Sequence, residues 1–238
     1  MSYWGPYYFP IAPVFLLALV VLLGMVIVFI QIGILQYAYE KIGVKRRYVF
    51  SILILSLLGS YINIPIAQLS PQPVLSNQEV SYFGMRYVIP TVQAWPGTVV
   101  AVNLGGAIIP TVLSCYLIVT RRMYGSALLG VAIVATVVHL SAEPVYGIGI
   151  AVPMFIPPLL AAGVALMLAR QSAPPLAYIS GSMGTLIGGD LLNLDKIQTL
   201  GAPVASIGGA GTFDGIFLTG ILAVLLAGAG IRLSRHVS

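Results

Sequence analysis

Charge is almost missing from this chain. Eleven Lys/Arg and six Asp/Glu are spread over 238 residues, so 7% of the side chains are charged while 59% are hydrophobic. A soluble domain carries roughly a quarter charged residues, because its surface must be hydrated. The mean hydropathy of +1.02 points the same way. So few charges exclude a globular cytoplasmic enzyme and a nucleic-acid binder. They also exclude a disordered chain, which needs low hydrophobicity and high net charge. What remains is a polytopic membrane protein, and the lipid bilayer is its first partner.

Spans are runs of about 20 apolar residues, the length that crosses a hydrocarbon core of roughly 30 Å. Seven are expected: Ile11 to Gln36, Tyr48 to Leu69, Gly97 to Thr120, Tyr124 to Leu140, Ile148 to Leu168, Pro175 to Leu194, and Phe213 to Leu233. The first has no charge before Glu40. It therefore lacks the basic start of a signal peptide and is kept as a span. The expected fold is an all-α bundle of about seven transmembrane helices, forming one domain over residues 1–238.

Orientation follows from the basic residues, which stay cytoplasmic. Lys41, Lys45, Arg46, Arg47, Arg121, Arg122, Arg170, Arg232 and Arg235 fall on one side if the spans alternate, leaving Arg86 and Lys196 opposite. The N-terminus is then outside and the C-terminus cytoplasmic, in a multi-pass cell-membrane protein. The long segment 70–96 becomes an outer loop. Its Tyr82, Phe83, Tyr87 and Trp95 read as an interfacial aromatic belt or, in a sharper reading, as part of a flap over an outward-facing site. The single Cys115 excludes an intramolecular disulfide and is given no role.

This topology gathers the polar residues toward the outer face. Asn63, Asn103, His139, Glu143, Asp190, Asn193 and Asp214 all fall in the outer half of the bilayer or at its edge. Ionisable residues within spans are costly and mark functional sites by default. Asp190 fits that rule, being too short to reach far toward water. Asp214, taken alone, fits a helix start, where a carboxylate favours the dipole and Thr212 is an ordinary N-cap. His139 and Glu143 are four apart and able to pair, although Pro144 opposes helical geometry at Glu143. Asn63 and Asn103 read as interhelical hydrogen-bonding glue.

Glycines surround both aspartates. Gly181, Gly184 and Gly188 share one face and admit a close neighbouring helix. The stretch from Ser206 through Gly208, Gly209, Gly211 and Thr212 to Asp214 is a small-residue loop feeding a helix start. Backbone N–H groups collect there as a nest for anions. It lacks the Lys of a P-loop, so nucleotide binding is not supported. Pro153, Pro157 and Pro158 predict that the fifth span is kinked or broken.

Four segments resemble a family of bacterial and archaeal membrane proteins known only as a domain of unknown function. They are Ile62-Asn63-Ile64-Pro65, Gly147 to Pro153, Gly184 to Asn193, and Ser206 to Gly220. The resemblance implies a shared site without an established activity. The family more often has Ala where this chain has Gly189. Gly188-Gly189-Asp190 also resembles part of the Gly-x-Gly-Asp motif of intramembrane aspartyl proteases, the presenilin and prepilin peptidase group. Phe213-Asp214 resembles the presenilin Tyr-Asp. This chain departs from them in having Ile187 at the first Gly and Phe213-Asp214 after the other motif.

Two functions follow as expectations, the first ranked slightly above the second because two Gly-flanked aspartates are its minimal requirement. In an aspartyl protease of membrane peptides, Asp190 and Asp214 share one proton, one activating water and the other supporting the oxyanion. In a transporter or channel, the same carboxylates bind a small cationic solute or relay protons. Asn63, Asn103, His139, Glu143, Asn193, Gly208, Gly209, Gly211 and Thr212 would bind substrate or support the aspartates. A divalent ion on His139, Glu143, Asp190 and Asp214 ranks last, because the spacing has no metalloprotease signature. Neither metal nor cofactor is expected.

Overall fold

The structure, a computed structural model, describes residues 13–69, 72–82, 85–95, 97–145, 149–197, 204–209 and 215–236. It is mostly helical. The chain divides at Tyr37 into two compact units, Met1–Tyr37 and Ala38–Ser238. Helix α1 (Pro13–Ile42) makes up the described part of the first and enters the second with its last turn.

Within the second unit α2 (Arg46–Gly59) is followed by four strands: β1 (Asn63–Gln68), β2 (Gln72–Tyr82), β3 (Met85–Trp95) and β4 (Val99–Asn103). A π-helical turn (Leu104–Ile108) leads into α3 (Ile109–Arg121), and α4 (Tyr124–Ser141) comes next. Strands β5 (Glu143–Val145) and β6 (Gly149–Ala151) precede α5 (Ile156–Leu168) and α6 (Ala173–Thr185). A second π turn (Leu186–Asp190) and a short 3-10 turn (Leu191–Asn193) lead into α7 (Leu194–Ile197), then β7 (Val204–Ile207) and α8 (Gly215–His236).

Among the described residues, three helical stretches are long and apolar enough to cross a membrane: Val21–Ile42, Leu104–Arg121 and Tyr124–Ser141. Large apolar side chains face outward from the helices. Leu128 is 75% and Met167 86% exposed, as suits helices solvated by lipid tails. Helix α6 is the axis of the second unit. Twelve of its thirteen residues are buried, with α3, α4, α5 and α8 packed around it.

The all-α expectation needs correction, since the described residues include seven strands. The second apolar run is helical only to Gly59 and then becomes β1. The third begins as β4, and the fifth turns helical only at Ile156. Pro157 and Pro158 sit in the first turn of α5, where a missing N–H costs nothing, so they start that helix and do not kink it. The segment expected as a loop over 70–96 contains a hairpin, with β2 antiparallel to β3 from Gln72–Trp95 to Tyr82–Met85. Its side chains lie outside the described residues, and so do Phe83 and Pro96.

A three-stranded sheet in the order β1-β4-β7 frames the candidate site. β1 is antiparallel to β4 and pairs Asn63 with Asn103, while β7 is parallel to β4 and sets Ser206 beside Ala101. Next to it a small core of Val100, Ala107, Leu186, Ile207 and Ile216 joins both π turns to β4, β7 and α8.

Candidate functional site

Asn103 ends β4 and begins the first π turn. It is 1% exposed, and every polar atom of its side chain is engaged. Oδ1 accepts the Gly106 N–H at 2.8 Å, satisfying a donor that the helix start leaves free. Nδ2 donates to Ser60 O at 2.7 Å and to Asn63 Oδ1 at 3.1 Å. Asn63 and Asn103 are therefore not glue between two helices. They fasten the end of α2, strand β1 and the start of α3 together. Gly105 permits this approach, because a Cβ there would run into Ser56 O and lie 2.5 Å from Ser60 N.

Ser206, on the far side of β4, closes the same cluster. Its hydroxyl is 2.6 Å from Asn63 Oδ1 and 2.6 Å from Gly209 O. A hydroxyl has one proton to give, so Ser206 can donate to only one of the two at a time, and Asn63 Oδ1 also accepts from Asn103 Nδ2. The only sequence signal for Ser206 is its place at the head of the Gly-rich loop.

The turn after β7 carries two successive left-handed glycines, Gly208 at φ +95° and Gly209 at φ +82°. Gly208 also packs backbone on backbone, since a Cβ there would lie 2.6 Å from Ala107 N. Its N–H donates to Asp190 Oδ2 at 2.7 Å. The Gly209 N–H donates to Ser206 O at 3.2 Å. The anion held at this loop is thus one of the protein's own, the Asp190 carboxylate. Asp190 is half-buried, and no hydrogen bond reaches its Oδ1 among the described residues.

Asp190 closes the second π turn, which is shaped by α4. A Cβ on Gly184 would lie 2.6 Å from Val134 Cβ, and one on Gly188 would run into Ala135 O. Gly181 packs instead toward α5 and α8, against Ala161, Thr219 and Ala223. The widened turn frees carbonyls, and Asn193 takes them: Nδ2 donates to Gly188 O at 2.8 Å and Gly189 O at 2.9 Å. Lys196 Nζ donates to Asn193 Oδ1 at 2.7 Å. Asp190 and Asn193, expected on one helical face, are turned to different tasks by the π and 3-10 turns between them.

His139 lies in the last turn of α4 with Nδ1 buried and unpartnered. Glu143 is exposed in β5, after α4 has ended at Ser141, so no helical pair joins them. Among the described residues no three His, Cys, Asp or Glu side chains gather as metal ligands. Gly211, Thr212 and Asp214 lie outside the described residues.

No curated protein and no solved structure matches the chain, and the likeness to aspartyl proteases gains no support from either comparison. The model of a family described as a protein of unknown function (DUF1614) matches residues 57–226, well over half of the chain and the whole of the cluster around Asn103 and Asp190, and the chain belongs to that family.

Proposed function

We propose that the chain is a multi-pass cell-membrane protein, N-terminus outside and C-terminus cytoplasmic, that carries a proton or small cation through a site at Asp190. The observation behind this reading is the Gly208–Gly209 turn. It ties the Asp190 carboxylate to an all-oxygen cluster of Asn63 Oδ1, Ser206 Oγ and Gly209 O. Oxygens gathered 2.6 Å from the Ser206 hydroxyl suit a hard cation or an arriving proton. The helical stretch bearing Asp190 also departs from α geometry at Leu186–Asn193, and transporters bind coupling ions at irregular helical segments. Broken helices at membrane depth are tolerated where they line a cavity or are buried in protein. The partners of this reading are the bilayer and a small cationic solute, with no cofactor and no nucleic acid.

Purified protein in liposomes tests it. An imposed gradient should drive proton or cation flux in the wild type, and Asp190→Asn should abolish that flux while the protein stays folded. Undiminished flux through Asp190→Asn would sink the proposal.

A second reading is the aspartyl protease with Asp190 and Asp214 as its dyad. The Gly208–Asp190 bond favours it, because Asp214 follows Gly208 by only six residues in the chain. In this reading, proteoliposomes cleave a membrane peptide and either Asp→Asn change stops cleavage. Cleavage that survives both changes removes it.

A further inference from the structure

Two helices end in the same turn. After α1 the Val44 N–H donates to Tyr39 O at 3.0 Å and the Gly43 N–H to Glu40 O at 3.1 Å. After α3 the Met123 N–H donates to Ile118 O at 3.1 Å and the Arg122 N–H to Val119 O at 3.3 Å. Val44 and Met123 are both buried. Such a turn sets its pivot residue in the left-handed region, which favours Gly. Gly43 obeys at φ +101°, whereas Arg122 holds φ +53°, the one non-glycine with a positive φ among the described residues.

The two turns are joined. A Cβ at Gly43 would run into the Arg121 guanidinium, which therefore lies against the bare backbone of the α1 turn. Residues 39–48 and 118–124 carry Lys41, Lys45, Arg46, Arg47, Arg121 and Arg122 against a single acid, Glu40. Glu40 reaches Arg46 only at 3.7 Å, with both side chains exposed, and such a surface pair contributes little. Among the described residues no carboxylate pairs with Lys45, Arg47, Arg121 or Arg122.

The fold itself accounts for two of these six cations. Lys41 and Arg121 sit in the last turns of α1 and α3, where the helix dipole favours a positive charge. Lys45, Arg46 and Arg47 stand at the start of α2, where the dipole opposes them and the first turn holds no acid. Arg122 strains a turn that Gly would adopt freely. The positive-inside rule asks for charge near span ends but places no demand on backbone conformation. Strain kept at a residue whose charge is exposed and unpaired points to a ligand for that charge.

The surroundings give the class of that ligand. The Arg47 guanidinium lies 4.5 Å from the centre of the Tyr48 ring. Tyr48, Phe50 and Tyr124 are exposed, and Ile54 and Leu57 on α2 and Leu128 on α4 extend bare apolar surface along the same helices. Unpaired basic charge continuous with bare apolar helix matches a molecule with an anionic head and hydrocarbon chains. We propose that the turns after α1 and α3 form one docking surface for an anionic phospholipid. The guanidinium forks of Arg121 and Arg122 take its phosphate, and the exposed side chains of α2 and α4 lie along its chains. Which leaflet supplies the lipid rests on the orientation proposed above, whereas its selectivity is measurable without it.

Native mass spectrometry of the full chain in detergent, titrated with single lipids, reads that selectivity. Phosphatidylglycerol should bind more tightly than phosphatidylcholine. Arg121→Gln and Arg122→Gly should each weaken phosphatidylglycerol binding about fivefold, the worth of one basic group beside an anionic head. Arg170→Gln removes the same charge from the exposed turn between α5 and α6 and should change nothing. Arg122→Gly also relieves the left-handed backbone. It should therefore melt no lower than the wild type without lipid, and it decides the question if Arg121→Gln does not fold. No preference for phosphatidylglycerol overturns the proposal. An equal loss in Arg170→Gln overturns the site in favour of general attraction. Glycerol phosphate bound as tightly as the lipid would mark a site for a soluble anion and overturns the phospholipid as its partner.

Discussion

The Asp190 carboxylate accepts the Gly208 N–H at 2.7 Å, joining the distorted end of α6 to the turn after β7. An amide oxygen also accepts that N–H, though more weakly, but it takes up neither a proton nor a cation. Asp190→Asn should therefore melt near the wild type while losing flux. Asp190→Ala loses the acceptor too, and a hydrogen bond to a charged group is worth about 1.5–3 kcal/mol. Thermal unfolding of the two detergent-solubilised variants beside flux in liposomes separates the roles. Equal melting of both variants would show that the bond holds nothing.

The two left-handed glycines of the turn should differ in tolerance. Gly209→Ala meets the cost of a left-handed backbone, about 1–2 kcal/mol. Gly208→Ala meets that cost and also drives a Cβ to 2.6 Å from Ala107 N and 2.7 Å from Ala107 Cβ. Backbone cannot give way as a flexible side chain does. Expression and melting temperature should fall much further for Gly208→Ala. A reversed order would mean that the packing of β7 on the first π turn is not what fixes this loop.

Asn103 offers a sharper test of the cluster. Asn103→Asp keeps the acceptor for Gly106 N–H but turns a donor toward Ser60 O into an oxygen. Asn103→Ala removes the cap, typically about 1 kcal/mol, and leaves buried groups unmade at about 1–3 kcal/mol each. Both should lower the melting temperature clearly. A matched change at Asn63, which is exposed, should cost less. Comparable losses at the two positions would contradict the central place of Asn103 in the cluster.

How much of the fold and the site is legible in the sequence depends on which signal each element carries. Lipid-length apolar runs stand out because hydrocarbon admits few charges, and among the described residues they locate the long helices. The same runs hide the strands. Asn63-Ile64-Pro65-Ile66-Ala67-Gln68 continues the apolar stretch of α2 without a break, and a short apolar run has no period that separates strand from helix. Pro65 is the one hint. It stands on an edge strand, at a register irregularity between Pro65 and Ala67, where a residue without an N–H is tolerated. The glycines near Asp190 are legible as close packing, yet the π turn they accompany is not. Its cause is the backbone of α4 at Ala135, more than fifty residues away in sequence. Ser206 is hidden for a similar reason. A lone Ser acquires meaning only when two strands bring Asn63 across to it.

Glycines buried against α4 and glycines on open helix faces give the last prediction. Gly188 has no room for a side chain, since a Cβ there would run into Ala135 O and lie 2.9 Å from Ala135 Cα. An added methyl must push α4 away from the π turn, and with it the carbonyls of Gly188 and Gly189 that Asn193 holds. Gly188→Ala should then destabilise the protein and also weaken function, because the turn that aims Asp190 is displaced. Gly125 in α4 and Gly163 in α5 are the controls, since a methyl at either position would have nothing within 4 Å. Alanine there should be neutral or should stabilise by roughly 0.5–1 kcal/mol, the helix-interior difference between Gly and Ala. Melting curves and flux of the three variants decide the matter together. Gly188→Ala that melts like Gly163→Ala would show that α4 is not what holds the turn in its widened form.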